Sequence, residues 1–371
     1  MSTRITKINS RAELDRIVEN ILNDADKLKC LTEKIETYYE SKKDTSGQFN
    51  EMLSELGQNL NTDEIRSIFI RNGLLYSHFV VFGSSATHLR TTDSDVDICI
   101  VVKSLTGQPL TMKARKKMMN ELLNELHFCY EFKEKWSYPN AKVPVFGGKN
   151  ELFKADFVIH DKDTVPPSLL ASILINAYCQ IEPNLAPLCV YLKKWCEQFM
   201  KQNQEKKLLL KSIPNSYTIV LMAIHMLQIQ QLLPNLIRWN HGVFDINTTN
   251  WERISHFNYY SPLSQFQIQK LQDTMLFKKL SVGEMAIKFF ETYSIFDASK
   301  EKIIMRTGQW IKTRRPLSRF TIVDDYDKNS PSRRVKNVHH MKALFGKFLI
   351  TTYNSNASEV YDNSLDISFE L

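Results

Sequence analysis

One glycine turn and three carboxylates are the residues of this chain whose types and spacing could do chemistry. Phe82-Gly83-Ser84-Ser85 ends an apolar run, and Asp93-Ser94-Asp95-Val96-Asp97-Ile98 follows shortly after. Glycine at the end of a strand permits a tight turn whose backbone N–H groups face a phosphate, and Ser84 adds a hydroxyl donor. Asp95 and Asp97 are two apart, so on a strand both carboxylates share one face while Val96 and Ile98 take the other. Carboxylates that close repel each other and tend to retain a proton unless a divalent cation neutralises them. Oxygen-only donors suit Mg2+ or Mn2+. A third carboxylate on a neighbouring strand would complete a two-metal site for in-line attack on a nucleotide. Asp156 is the candidate, a charged residue inside the otherwise apolar Phe153 to Ile159 run, costly there unless something pairs with it. Singly, each feature is common, and a strand aspartate is more often hydrogen-bonded scaffolding than a ligand. Their order and spacing together point to nucleotidyl transfer.

The elements that must position these residues can be read from periodicity. Phe79 to Phe82 and Val96 to Val102 read as buried strands, with further strands at Lys142 to Phe146 and Phe153 to Ile159. Helix is expected at 10–40, where Leu14, Ile17, Ile21, Leu28, Leu31 and Ile35 recur at heptad-like spacing behind Ser10, and again from Met112 to Phe132. From Pro166 the pattern turns helical: Ser168 to Tyr178, Leu185 to Met200, Ser216 to Leu233 and Val282 to Ser294, with strand-like pieces near Ile303 and Thr321. The class is α+β. Four segments are expected: an N-terminal helix (1–45) packed on the helical domain, a mixed-sheet catalytic domain (46–165), a helical nucleotide-recognition domain (166–352) and a flexible tail (353–371).

Composition narrows the setting. The 371 residues are 43% hydrophobic and 24% charged, an ordinary globular balance, and the net charge of +7 favours a polyanionic partner. Cys30, Cys99, Cys129, Cys179, Cys189 and Cys196 form no CxxC pair, which argues against a disulfide scaffold or a zinc site. The most apolar stretch, Ile219 to Leu233, contains His225, Gln228, Gln230 and Gln231 and is too short and polar to span a bilayer. No membrane partner is expected. The N-terminus has no apolar signal-like region, so a cytoplasmic location is expected, with nuclear import through Lys113-Ala114-Arg115-Lys116-Lys117 as a second expectation.

The G-S turn, the D-x-D and the later strand aspartate resemble the DNA polymerase β-like nucleotidyltransferase superfamily. Within it the chain resembles the terminal uridylyltransferases and non-canonical poly(A) polymerases. Four further blocks carry the likeness: Ala141 to Val145, Pro187 to Trp195, Asn215 to Met222, and Ile322 to Asp327 followed by Arg333 to Val335. The resemblance implies that Asp95, Asp97 and Asp156 hold Mg2+ or Mn2+, with Asp156 also the base toward an RNA 3′-hydroxyl. It implies that Gly83, Ser84, Ser216 and Lys193 meet the triphosphate, and that Tyr217 stacks on the base. Ser172 falls where the family reads the ribose, and Asp327 lies in the segment that reads the base. A mostly helical PAP-associated-type domain is implied beside the catalytic sheet, with the active site in the cleft between them.

The chain also departs from the family's pattern. A second lysine usual four residues after the first is Glu197 here, which leaves Lys194 or Lys201 to assist Lys193. The ribose-reading Asn-Thr pair is Ala171-Ser172, and the late segment lacks the histidine many uridylyltransferases use. In its place stands Asn329-Ser330-Pro331-Ser332, with His339 and His340 further on. The expected donor is UTP, as in small stand-alone uridylyltransferases, with ATP as the alternative and a catalytically inactive RNA-binding scaffold as the rival of another class. The acceptor expected is an RNA 3′ end, guided by Lys113 to Lys117, Lys312 with Arg314 and Arg315, or Arg333-Arg334 with Lys336. With no separate RNA-recognition module read in the sequence, an RNA-binding partner protein is expected to supply specificity.

Overall fold

The computed structural model describes all residues except 1–7, 9, 44–47, 109–110, 142, 206–209, 248, 256–260, 275–278, 328–329, 334 and 366–371. Lys142, Asn329 and Arg334 therefore lie outside the described residues, as does the last part of the expected tail. Two compact units are present: 42–176 with 242–262, and 1–41 with 177–241 and 263–371.

The expected helix over 10–40 is two helices, α1 (Arg11–Asn23) and α2 (Ala25–Lys42). Ser10 caps the first, accepting the Glu13 N–H at 3.1 Å. Asp24 interrupts the pair with ψ 89°, and its carboxylate accepts the Lys27 N–H at 3.0 Å. A short aspartate side chain satisfies the new helix start better than a continued turn would.

The sheet unit runs α3 (Gln48–Asn59), α4 (Asp63–Arg71), β1 (Leu74–Phe82), β2 (Val96–Ser104), α5 (Met112–Tyr130), β3 (Glu134–Tyr138), β4 (Val145–Lys149) and β5 (Lys154–Asp161). Strand order is β1-β2-β5-β4-β3, with β2 and β5 parallel and the other neighbours antiparallel. Alternation splits the two central strands into faces. Val96, Ile98, Ile100, Ala155 and Phe157 pack into the core with Ile65, Ile68 and Phe69 of α4 and Met118, Leu122 and Leu126 of α5. Full burial of each larger side chain contributes about 1.5–3 kcal/mol. Asp97 and Asp156 occupy the alternate positions, so core burial on one face fixes the carboxylates on the other.

Two sheet expectations need correction. The strand placed at 142–146 lies at Val145–Lys149, and β3 precedes it unforeseen. β3 is an edge strand carrying Glu134 and Lys135, with only half-buried Trp136 and Ser137 at its centre, so its apolar signal is weak. Asp95 also sits just before β2, in the loop leading into it, rather than on the strand.

The helical unit contains α1, all but the end of α2, the end of α6 (Pro167–Ile181), α7 (Leu185–Gln202), α8 (Ser216–Ile229), α9 (Val282–Ile295), α10 (Val338–Asn354) and α11 (Val360–Leu365). Trp195 of α7 anchors its core, with ring centroids 4.9 Å from Phe290 and 5.7 Å from Phe345, while Phe290 stacks on Phe348 at 3.6 Å. α1 packs on α9 and α10. A small sheet, β6 (Glu301–Ile304), β7 (Gln309–Lys312) and β8 (Ile322–Val323), is ordered β7-β6-β8.

Residues 353–365 are not the loose tail expected from their polar composition. Val360 and Ser364 of α11 are fully buried, and the Ser364 and Tyr191 hydroxyls share a 2.6 Å hydrogen bond. Few apolar side chains suffice for docking when a buried hydroxyl supplies the polar partner.

Candidate active site

One transverse row of the sheet builds the site. Trp136 pairs with Gly147, Gly147 with Asp156, and Asp156 with Asp97, each directly opposite the next on β3, β4, β5 and β2. The parallel β2–β5 register sets Asp97 beside Asp156. Across β4 the Trp136 indole Nε1–H donates to Asp156 Oδ1 at 2.7 Å. Gly147 makes that reach possible. A Cβ at position 147 would lie 2.9 Å from the Trp136 ring and 2.1 Å from the Ala155 carbonyl oxygen. Trp136 is the residue of this row that sequence reasoning missed; the signal available was an indole two residues from Tyr138 ahead of a Gly-Gly strand.

On the other side of Asp97, Gly83 follows β1 with φ +67°, a left-handed conformation glycine adopts freely. A Cβ there would stand 2.2 Å from Asp97 Oδ2, so glycine is required by the carboxylate as well as by the turn. Gly83–Ala86 forms a single 3-10 turn. Buried Ser85 donates to the Asp95 carbonyl at 2.5 Å and accepts from Arg90 at 3.2 Å, tying the turn to the loop that carries Asp95.

The turn is also pinned from α6, and here an expectation changes. The sequence leads one to expect Ser172 toward the ribose and the Gly83 N–H toward a phosphate. Ser172 is buried; its hydroxyl accepts that N–H at 2.8 Å and donates to the Ser168 carbonyl at 2.9 Å. One turn on, Asn176 is fully buried, accepting the His88 N–H at 3.0 Å and donating to the Ala86 carbonyl at 2.5 Å. Ser172 and Asn176 thus position the turn, because a buried backbone group left unpaired would be costly. Ser84 remains half-buried within it.

The electrostatics follow from burial and one lysine. Desolvation raises the Asp156 pKa from its ordinary value, against the opposing hydrogen bond from Trp136 and the charge of Lys154. Lys154, two residues before Asp156 on the same face, donates its ammonium to Asp95 Oδ2 at 2.5 Å, and that bond raises the lysine pKa. Among the described residues no three His, Cys, Asp or Glu side chains stand arranged to hold a metal ion. Lys154 engages an oxygen of Asp95 and Trp136 engages one of Asp156. The donor set itself fits a hard divalent cation: carboxylate oxygens only, two of them on adjacent parallel strands.

The remaining predicted residues sit on the helical unit. Ser216 is exposed at the first position of α8, behind the cap Asn215, whose side chain accepts the Thr218 N–H at 2.8 Å. Tyr217 follows, partly buried, and its hydroxyl donates to Asp324 Oδ2 at 2.9 Å. Asp324 is buried, and desolvation pushes its pKa up to about 6. Lys193 is half-buried on α7. Lys194, suggested as its assistant, is engaged elsewhere: its ammonium lies 3.9 Å from the Tyr38 ring centroid and donates to the Tyr361 hydroxyl at 3.2 Å. Asp327, expected at the base, pairs with Arg333 at 2.7 Å, which also draws Arg333 out of its basic cluster. Ser330 shares a 2.9 Å hydrogen bond with Ser332 and so serves the loop's own scaffold. His339 and His340 lie in the first turn of α10. Lys312, Arg314 and Arg315 remain exposed.

This mixed sheet, with its turn and aspartates, is the polymerase-β-like nucleotidyltransferase fold. A family model, the central palm domain of mitochondrial-like poly(A) RNA polymerase, matches residues 31–180. The chain is 24% identical over 295 residues to the poly(A) RNA polymerase GLD2 of Xenopus tropicalis, covering 77% of this chain and 51% of that protein. It thus spans about half the length of the relative it matches. In structure it is similar to GLD-2 solved in a GLD-2/RNP-8 complex, with TM-score 0.67, 20% identity and coverage of 90% and 98% of the two chains. It is also similar to the Cid1 poly(U) polymerase, with TM-score 0.61, 18% identity and coverage of 91% and 98%. Residues 31–180 thus match a palm domain of the poly(A) RNA polymerase type, and the chain as a whole is similar to poly(A) RNA polymerases of the GLD2 kind.

Proposed function

We propose that this chain transfers AMP from ATP to the 3′-hydroxyl of RNA without a template, releasing pyrophosphate. The observation that carries the reading is the register pairing of Asp97 with Asp156 beside the Gly83 turn, with Asp95 adjoining. Asp95, Asp97 and Asp156 would hold Mg2+ or Mn2+. When bound, the ion neutralises triphosphate charge and eases ionisation of the attacking hydroxyl. The protein's own part is to aim these oxygens and to keep Asp156 basic enough to take the proton, which burial on the sheet favours. Ser216 at a helix N-terminus and the Lys193 ammonium suit the triphosphate. Tyr217, held by Asp324, offers a ring for stacking on the base, worth ~1–3 kcal/mol and indifferent to base identity.

The expected preference for UTP gives way to ATP. The curated relatives are named poly(A) RNA polymerases, and the late segment lacks the histidine on which a uridine reading would lean. Uridylyl transfer is the second reading, favoured by the likeness to the Cid1 poly(U) polymerase and to a cytoplasmic RNA terminal U-transferase. The acceptor surface proposed is the exposed Lys312, Arg314 and Arg315 group. A specificity-giving protein partner is proposed because the similar GLD-2 structures were solved in complexes with RNP-8 and GLD-3. Among the described residues no helix is long and apolar enough to cross a membrane, and a cytoplasmic setting is proposed. Single-nucleotide extension of a short RNA, with Mg2+ or Mn2+ and each NTP in turn, tests the donor. ATP is expected to give the larger kcat/KM; a larger value for UTP would restore the uridylyl reading.

A further inference from the structure

The geometry points to Lys154 as a built-in counter-cation of the carboxylate cluster, one that a divalent ion must displace from Asp95 in order to bind. The inference rests on the metal-binding role proposed above for Asp95, Asp97 and Asp156. Lys154 opens β5, and the β2–β5 register that pairs Val96 with Ala155 brings position 154 level with Asp95. Lys154 and Asp156 share a strand face, since they are two apart. The ammonium is therefore delivered to the carboxylates by the same register that assembles them. It donates to Asp95 Oδ2 at 2.5 Å and acts electrostatically on Asp97 and Asp156 as well.

Two features make this arrangement exchangeable rather than fixed. Side-chain exposures of 41% for Lys154 and 44% for Asp95 leave both groups accessible to water, so opening the pair carries no burial penalty. A second berth is also at hand, because the ammonium already lies 5.5 Å from the centroid of the Trp136 ring, within cation–π range. Released from Asp95, Lys154 can rest on the indole that orients Asp156. An ammonium and a divalent ion on the same carboxylate repel each other and compete for its charge, so each weakens the other's hold. Without metal, Lys154 relieves repulsion among the aspartates; with metal, it costs affinity.

Titration of the full chain with Mn2+ alone, followed by calorimetry and by the metal-induced rise in melting temperature, tests this without reference to turnover. Lys154→Met is expected to bind Mn2+ about tenfold more tightly than wild type, the scale of one removed neighbouring charge, and to melt lower than wild type when metal is absent. Lys154→Arg, which keeps the charge and the fold, is expected to bind Mn2+ like wild type. Asp97→Asn is expected to weaken binding in either background. Equal Mn2+ affinity of wild type and Lys154→Met, with both sensitive to Asp97→Asn, overturns the role of Lys154 and leaves the carboxylate site standing. Binding unaffected by Asp97→Asn overturns the metal assignment and the inference with it.

Discussion

The sheet unit and the helical unit hold their polar side chains by different means. On the sheet, register alone aligns Trp136, Gly147, Asp156 and Asp97, and two glycines clear the space their neighbours need. On the helical unit, Tyr217 depends on a buried carboxylate, Asp327 on Arg333, and Ser330 on Ser332. Register is a property of every residue in a strand pair and resists single substitutions. A hydrogen-bonded loop can be rewired one residue at a time. Under the proposed function, the carboxylate row serves the reaction step and the late segment is the place where donor preference is set.

The sharpest break in this comparison is a pair of substitutions at equivalent chemical cost. Asp156→Asn removes one charge from the row and is expected to lower extension about a thousandfold or more, with the fold retained. Ser216→Ala, one hydroxyl on the helical unit, is expected to cost about tenfold, mainly in KM for the nucleotide. Primer extension with circular dichroism alongside checks both, and equal losses would erase the distinction between the units.

Within the row, geometry separates stability from chemistry. Gly147→Ala places a Cβ against the Ala155 carbonyl and the Trp136 ring and is expected to destabilise by about 1–3 kcal/mol, read from chemical denaturation. Trp136→Phe keeps the ring but withdraws the N–H from Asp156. Its expected signature is about a tenfold loss of kcat with little change in stability, the scale of an outer-shell partner.

How much of this was legible in the sequence depends on whether a residue's neighbours are local. Asp95, Asp97 and Gly83 stand close together in the chain, and the two-residue spacing revealed a shared face. Asp156 stood out as a charge in an apolar strand. Trp136 escaped notice because its importance is set by a register across three strands, two of them antiparallel around Gly147. The position of Ser172 in the chain points to the site but also to the ribose, since nothing local shows that its hydroxyl reaches back to Gly83. Residues 353–365 read as a tail because their composition is polar, and only tertiary contact with Tyr191 reveals their burial.

A smaller effect is expected at Asp324. Its folded pKa of about 6 lies above the ordinary value of 3.8, so between those values the folded protein retains a proton that the unfolded chain has lost. Stability from this group is full below about pH 4 and declines as pH rises through 6. Asp324→Asn, which still accepts from the Tyr217 hydroxyl, is expected to flatten that decline. Melting temperatures from pH 4 to 8 check it, and an unchanged slope would place the titration elsewhere.

The central claim, that the aligned carboxylates perform nucleotidyl transfer, is tested most directly by one double substitution. Purified wild type and Asp95→Ala/Asp97→Ala are compared for extension of a short RNA with Mn2+ and ATP, with pyrophosphate release measured in parallel. Extension and stoichiometric pyrophosphate are expected from wild type, and neither from the variant, although its melting temperature stays near that of wild type. Extension by the variant at the wild-type rate would contradict the account.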